Sequence, residues 1–375
     1  MTHLAAVILF AVPLLAQPKR ARDLGVPFDG TPGTLNAITD VAGVEVGHTT
    51  LIEGDSVRTG VTVVWPRGKQ SDDPTFGGWF AQNGNGEMTG TTWLEESGFL
   101  EGAVFITNTH SVGVVRDASI HWQVDHKRKL ATNSFGDDFW SLPVVAETWD
   151  GRLNDINGFH VKPEHVYHAM DSAASGRVPE GNVGGGTGMV CFGFKGGIGT
   201  SSRVAGAYRV AALVQCNCGS KKQLRIAGAP VGQELAGPAT ASAVQPTDDV
   251  GSIIIVVATD APLLPTQLKR LARRATMGLS RMGATSGNGS GDIFIAFSTA
   301  NANAARPSGP AANISMLAND SLNPIFEATV QATEEAIVNA LVAAEDMTGF
   351  NGHKITALPH DGLQQVLKKY NRLSN

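Results

Sequence analysis

Five consecutive β-branched apolar residues, Ile253 to Val257, restrict this chain more than any other stretch. The run is too short to cross a membrane, and its composition fits a strand covered on both faces. Thr247-Asp248-Asp249 ahead of it reads as a turn or loop end. Between the two stand Gly251 and Ser252. A hydroxyl on the first residue of a buried strand, preceded by a residue with no Cβ, suits a self-cleaving bond. Ser252 Oγ would attack the Gly251 carbonyl, and hydrolysis of the ester would leave Ser252 as a new N-terminus. Such a residue carries nucleophile and amine base together. Gly-Ser also closes ordinary loops, so this stretch alone leaves both readings open.

The chain has 375 residues, enough for one large domain or two. Charged residues make up only 17%, and there are 44 glycines, a balance that fits tight packing in a layered α/β protein. A net charge of -5 argues against nucleic acid as the main partner. Residues 1–16 hold an apolar segment, Leu4 to Leu15, before the small Ala16. They read as a secretory signal, so the expectation is a periplasmic or secreted protein. The alternative is a helix or strand folded into the domain, with the protein then cytoplasmic. No later stretch has the length of a membrane helix. Cys191, Cys216 and Cys218 complete neither a disulfide framework nor a zinc-ligand pattern, and are expected as core thiols.

Along the chain, Ala37 to Val46 alternates as strand–turn–strand, Thr59 to Pro66 reads as a strand, and Phe76 to Gly90 reads as a glycine-rich loop holding Asn83, Asn85 and Glu87. Val104 to Thr109 is a strand with a polar end. In Leu142 to Asp150, Glu147 and Trp149 lie two residues apart at a strand end and hence on one face. That pair suits an ammonium, by charge and by cation–π contact, or else marks an edge strand in solvent. Gly181 to Arg203 is glycine-rich but lacks the Gly-Lys-Ser/Thr of a phosphate loop, and reads as turns between short strands. His165 and His168 have helical spacing without a third ligand, so no metal is expected there. Val210 to Asn217 is a buried strand whose terminal amide suits an oxyanion donor or a turn. Pro265 to Met282 is an amphipathic helix. Ser290 and Asp292 stand at the entrance of the strand Ile293 to Phe297, and helices are expected over Asn323–Met347 and His360–Tyr370.

The blocks R-A-R-D-L-G-V-P-F-D-G-T-P-G-T-L-N-A-I-T-D-V-A-G-V-E-V-G-H-T-T, E-G-N-V-G-G-G-T-G-M, F-K-G-G-I-G-T-S-S-R, I-I-I-V-V-A-T-D-A-P-L and G-S-G-D-I-F-I-A-F-S-T together resemble the L-aminopeptidase/D-amidase–esterase and β-peptidyl aminopeptidase family. The resemblance spans the chain after its leader. It implies an α/β fold, a four-layer α-β-β-α sandwich similar to Ntn-hydrolases but differently connected, as in ornithine acetyltransferase. It implies cleavage between Gly251 and Ser252, giving segments 17–251 and 252–375 of one catalytic domain. Ser252 matches the nucleophile, Ser290 and Asp292 the assisting hydroxyl and carboxylate, and Asn217 the oxyanion donor. Glu147 matches the carboxylate holding the substrate's amino group, and Trp140 a pocket-wall aromatic. Trp149 stands where some relatives carry Tyr, so a tyrosine hydroxyl is missing there. Four processed units are expected to assemble.

The chemistry implied is that of a serine aminopeptidase. Ser252 attacks the first amide or ester carbonyl of a small substrate with a free amino group, and water releases the acyl group without metal or organic cofactor. The proton goes either to the Ser252 amine or to Ser290–Asp292. Two other readings differ in class: an acyltransferase on the same fold, disfavoured by Ser in place of Thr, and an unprocessed scaffold. Preference among L-, D- and β-amino acyl groups depends on pocket shape.

Overall fold

A computed structural model describes residues 19–129, 139–236, 251–306 and 308–374. The segment read as an export signal and the turn before Gly251 lie outside the described residues. In order, the chain forms β1 (Glu45–Glu53), β2 (Val57–Trp65), β3 (Thr75–Gly84), α1 (Thr91–Ser97), β4 (Phe99–Leu100), β5 (Val104–Asn108), α2 (Val112–Asp125), β6 (Val144–Thr148) and α3 (Pro163–Asp171). The hairpin β7 (Val190–Cys191) and β8 (Phe194–Lys195) follows, then β9 (Gly197–Ala205), β10 (Tyr208–Asn217) and α4 (Val231–Glu234). The last third holds β11 (Ser252–Thr259), α5 (Pro265–Arg281), β12 (Gly291–Ser298), α6 (Asn323–Ala343), the short pair β13 (Met347–Thr348) and β14 (Lys354–Ile355), and α7 (His360–Lys369).

Two sheets stack face to face. One has four strands in the order β1-β2-β5-β6; the other has six, β4-β3-β12-β11-β10-β9, with β11 and β12 parallel at its centre. The Ile253–Val257 run shows why β11 is central. Ile253, Ile255 and Val257 pack under the helices, among them Leu268, Leu271 and Leu279 of α5 and Ala336, Ile337 and Ala340 of α6. Ile254 and Val256 face the other way, between the sheets, with Ile106 of β5 and Val144 and Ala146 of β6. A strand buried on both faces has no use for alternating polarity. On the far side, Val115 and Trp122 of α2 and Val166 and Met170 of α3 cover the four-stranded sheet. The layers therefore run α-β-β-α. Among the described residues, no helix is long and apolar enough to cross a membrane.

Three sequence expectations are corrected. Most of the Phe76–Gly90 stretch is not loop but β3, paired antiparallel with β12. Gly78 is required because α5 lies directly on the strand, where a Cβ would come 2.5 Å from Lys269 N, and a Cβ at Gly77 would meet Leu94 of α1 at 2.8 Å. Ala37–Val46 gives a 3-10 turn, Ile38–Asp40, before β1 begins at Glu45. The Asp40 carboxylate accepts from Leu35 N (2.9 Å) and Ala37 N (3.2 Å), a local alternative to ladder pairing. The cysteines are not all core thiols: Cys191 and Cys216 form a disulfide, with Cys218 Sγ 3.8 Å from Cys216 Sγ. The β7–β8 hairpin folds back on the end of β10, where Phe192 N donates to Cys218 O, a tertiary contact that cysteine spacing does not encode.

Candidate active site

Strand register assembles the centre. The antiparallel β10–β11 ladder sets Asn217 opposite Ser252, and the parallel β11–β12 ladder sets Asp292 opposite Ile253. Directly opposed side chains lie about 5 Å apart at Cβ, so the amide and the hydroxyl are neighbours. Ser252 is buried, and its Oγ accepts from Gly291 N at 3.0 Å. Asp292 Oδ1 accepts from Ile253 N (3.2 Å), fixing the peptide just after the serine. Gly251 is required sterically: a Cβ there would lie 2.3 Å from Asn217 O. Ser290 is fully buried and its Oγ has no hydrogen-bond partner among the described residues. The group that touches Ser252 Oγ is thus the N–H of Gly291, between the two residues singled out from sequence.

The Asn217 amide is held at both ends. Its Oδ1 accepts from Val190 N (2.8 Å), and its Nδ2 donates to Trp149 O (2.9 Å). These partners fix which end is nitrogen and leave one N–H of Nδ2 uncommitted. That is what an oxyanion donor needs: an oriented N–H whose position costs nothing at the moment of reaction.

Glu147 ends β6 deep in the molecule, 3% exposed. Its Oε1 accepts from Glu87 N (3.0 Å), and its Oε2 takes the Thr109 hydroxyl. Burial raises its pKa, and the nearby Glu87 carboxylate adds to the rise. The hydrogen bonds from Thr109 and Glu87 N, and His110, pull the other way. No Lys or Arg among the described residues pairs with it. A Cβ at Gly86 would lie 3.1 Å from Glu147 Oε1 and 3.0 Å from Gly291 Cα. Gly86 is therefore packed against both the carboxylate and the backbone that holds Ser252, with no room there for a side chain.

The two tryptophans behave differently from the rest. Trp149 lies past the end of β6 and is 48% exposed while Glu147 is buried, so the two are not side by side on one pleat face. What Trp149 contributes to the centre is its backbone carbonyl. Trp140 is half-buried in the segment entering β6, edge-on to Trp93 of α1 at 6.1 Å. Thr109, Gly86, the Gly291 N–H and the two supports of Asn217 were not foreseen. The polar end of β5 and the Asn83–Glu87 cluster were the only sequence signals near them; backbone groups leave none.

A family model for peptidase family S58 matches residues 36–355. The chain belongs to peptidase family S58. It is 57% identical to beta-peptidyl aminopeptidase BapA of Sphingosinicella microcystinivorans, over 98% of this chain and 97% of that protein. It is 48% identical to the enzyme of the same name from Sphingosinicella xenopeptidilytica, over 96% and 94%. Among solved structures, it superposes on the L-aminopeptidase D-Ala-esterase/amidase of Ochrobactrum anthropi with a TM-score of 0.87 at 48% identity, covering 96% of this chain and all of that one. That structure is described as a variant of the Ntn-hydrolase fold, in agreement with the layers above. As an S58 member the protein is a serine-nucleophile, autoprocessed aminopeptidase acting on small peptides, amides or esters.

Proposed function

We propose that Ser252 is the nucleophile, released by cleavage after Gly251, and that the substrate is an N-terminal β-amino acyl peptide or amide. The observation that carries this is Glu147. A buried carboxylate without a cation is costly, and this one and the Gly291 backbone that holds Ser252 Oγ both pack against Gly86. A substrate ammonium at Glu147 brings the first carbonyl, and no later one, to the serine. The two beta-peptidyl aminopeptidases, at 57% and 48% identity, favour β-amino acyl groups. The Ochrobactrum structure keeps L-amino acyl amides and D-Ala esters as the second reading.

In this reading Ser252 Oγ attacks the carbonyl, and Asn217 Nδ2 stabilises the resulting oxyanion by about 3 kcal/mol. The proton passes to the Ser252 amine or to Ser290 and Asp292, whose hydroxyl and carboxylate are buried one strand away. Trp140 and Trp149 border the substrate. The mature protein is an assembly of four αβ units exported from the cytoplasm; the Cys191–Cys216 disulfide supports an oxidising compartment.

Intact mass under denaturing conditions tests the core of this. Two polypeptides splitting at Gly251-Ser252 are expected, with Ser252→Ala giving one inactive chain; an active uncleaved protein would overturn it. Parallel kinetics on β-homoamino acyl and L-amino acyl p-nitroanilides decide between the two substrate readings. Light scattering of the processed protein checks the tetramer, and the mature N-terminus in fractionated cells checks export.

A further inference from the structure

Asp150 follows the residue whose carbonyl holds the Asn217 amide. It is fully buried, yet no Lys or Arg among the described residues pairs with it. Asn154 Nδ2 donates to its Oδ1 (3.1 Å), and its Oδ2 has no hydrogen-bond partner among the described residues. Burial pushes its carboxyl up to about 7, against the opposing pull of Thr59, Asn154, Asn108 and Asp150's own backbone N–H. That last group is informative. In a trans peptide, C=O and N–H point in opposite directions. The Trp149–Asp150 peptide thus has its N–H on the Asp150 carboxyl and its C=O on Asn217 Nδ2.

The second support of Asn217 lies beside the same residue. Val190 N follows the glycine turn 184–188, and a Cβ at Gly188 would come 2.9 Å from Asp150 Cβ and 2.2 Å from Arg58 O. The turn therefore packs directly on Asp150. Its own carbonyl accepts from Leu153 N and Asn154 N (3.0 Å each), so the residue is anchored through its backbone as well. One buried residue is thus joined through its peptide to the first support of the amide and packed against the turn that leads to the second.

We propose that Asp150 is the positioning residue of the oxyanion donor, fixing Asn217 through the Trp149–Asp150 peptide and the Gly188 turn. This rests on the assignment of Asn217 given above. Nothing is transferred to or from Asp150; its effect is to keep the free N–H of Nδ2 aimed where negative charge develops, which concerns the transition state and not the bound substrate.

Asp150→Ala in the full chain, with rates normalised to processed protein, is expected to lower kcat about 10- to 100-fold with KM within about threefold. Binding of an amino aldehyde, which forms an oxyanion on Ser252, should weaken by the same factor. Binding of an unreactive primary amine, which needs only Glu147, should not change. In an Asn217→Ala background the Asp150→Ala change should cost nothing more, because both act on one interaction. Asp150→Asn, similar in size and still able to accept the N–H, should recover kcat to within about fivefold of wild type. If Asp150→Ala does not fold, Asp150→Ser carries the same measurements. A loss confined to KM, full additivity with Asn217→Ala, or an Asp150→Asn enzyme as slow as the Ala variant would each overturn the proposal. If Asn217→Ala itself leaves kcat and aldehyde binding intact, the oxyanion assignment fails instead.

Discussion

Two ends of the molecule bury carboxylates and treat them in opposite ways. At the junction of β9 and α6, Glu335 accepts from Arg22 Nε and Nη2 (2.8 Å each), Arg203 Nη2 (2.7 Å) and Asn36 Nδ2 (2.6 Å). Burial pushes its pKa up, but the two guanidiniums and the amide outweigh that and hold it below the ordinary range. At the candidate site, Glu147 and Asp150 are as deeply buried, have hydrogen bonds but no cation among the described residues, and sit above it. The first arrangement is complete within the chain and locks the N-terminal segment to the core. The second is left open, and in the proposed reading a cation arriving with the substrate completes Glu147. A carboxylate that the fold has desolvated without compensating marks the functional end.

The largest test removes the compensation at the structural end. Glu335→Ala should cost about 3–5 kcal/mol in denaturant unfolding, since it leaves Arg203 buried without a counter-charge, while kcat per folded molecule stays near wild type. The mirror experiment, Glu147→Gln, should lower kcat/KM about 100-fold, mostly through KM, with stability unchanged or higher because an uncompensated charge is gone. Equal stability losses in the two variants would erase the distinction.

Smaller effects follow from pH. Asp150 has a folded pKa raised from 3.8 to about 7, so its contribution to stability is present below 3.8 and is lost as pH rises to about 7. Lys195, fully buried against the Gly186 and Gly196 carbonyls, is lowered from 10.5 to about 7. Its contribution is present above 10.5 and is lost as pH falls through 7. Together they predict a dip in unfolding free energy near neutrality. Asp150→Asn should remove the acid-side slope and add up to about 4 kcal/mol at pH 8; Lys195→Met should remove the alkaline-side slope. A flat wild-type profile would contradict both. Least in size, the acid limb of kcat/KM should lie above 4.5, where Glu147 protonates and ceases to hold an ammonium, and Glu147→Gln should abolish it.

How much of this was legible in the sequence depends on which atoms do the work. The Ile253–Val257 run announces a two-faced strand because side-chain chemistry alone sets that pattern, and the α5 stripe does the same for a helix. Ser252, Asn217, Asp292 and Glu147 stand out as polar side chains at strand ends, and the resemblance to the family is what assigns them roles. β3 reads as a loop because its Gly77-Gly78 pair is dictated by neighbours packed on the strand, Leu94 of α1 and the start of α5. The disulfide was missed because it joins a hairpin to β10 across 25 residues. Asp150 was passed over as the last letter of a motif, since its importance lies in which peptide its carboxyl faces.

By itself, then, the sequence determined the two-faced central strand and the α5 stripe, because these follow from residue type and local period, and its long motif blocks carried the resemblance that implies the family and its layers. Only the tertiary structure decided that the Gly291 N–H meets Ser252 Oγ, that Val190 and Trp149 hold the amide by backbone groups, and that Glu147 and Asp150 are buried without cations. Those facts depend on which strand lies beside which. Backbone N–H and C=O groups are the same in every residue, so their assignment to a site is settled by register and packing.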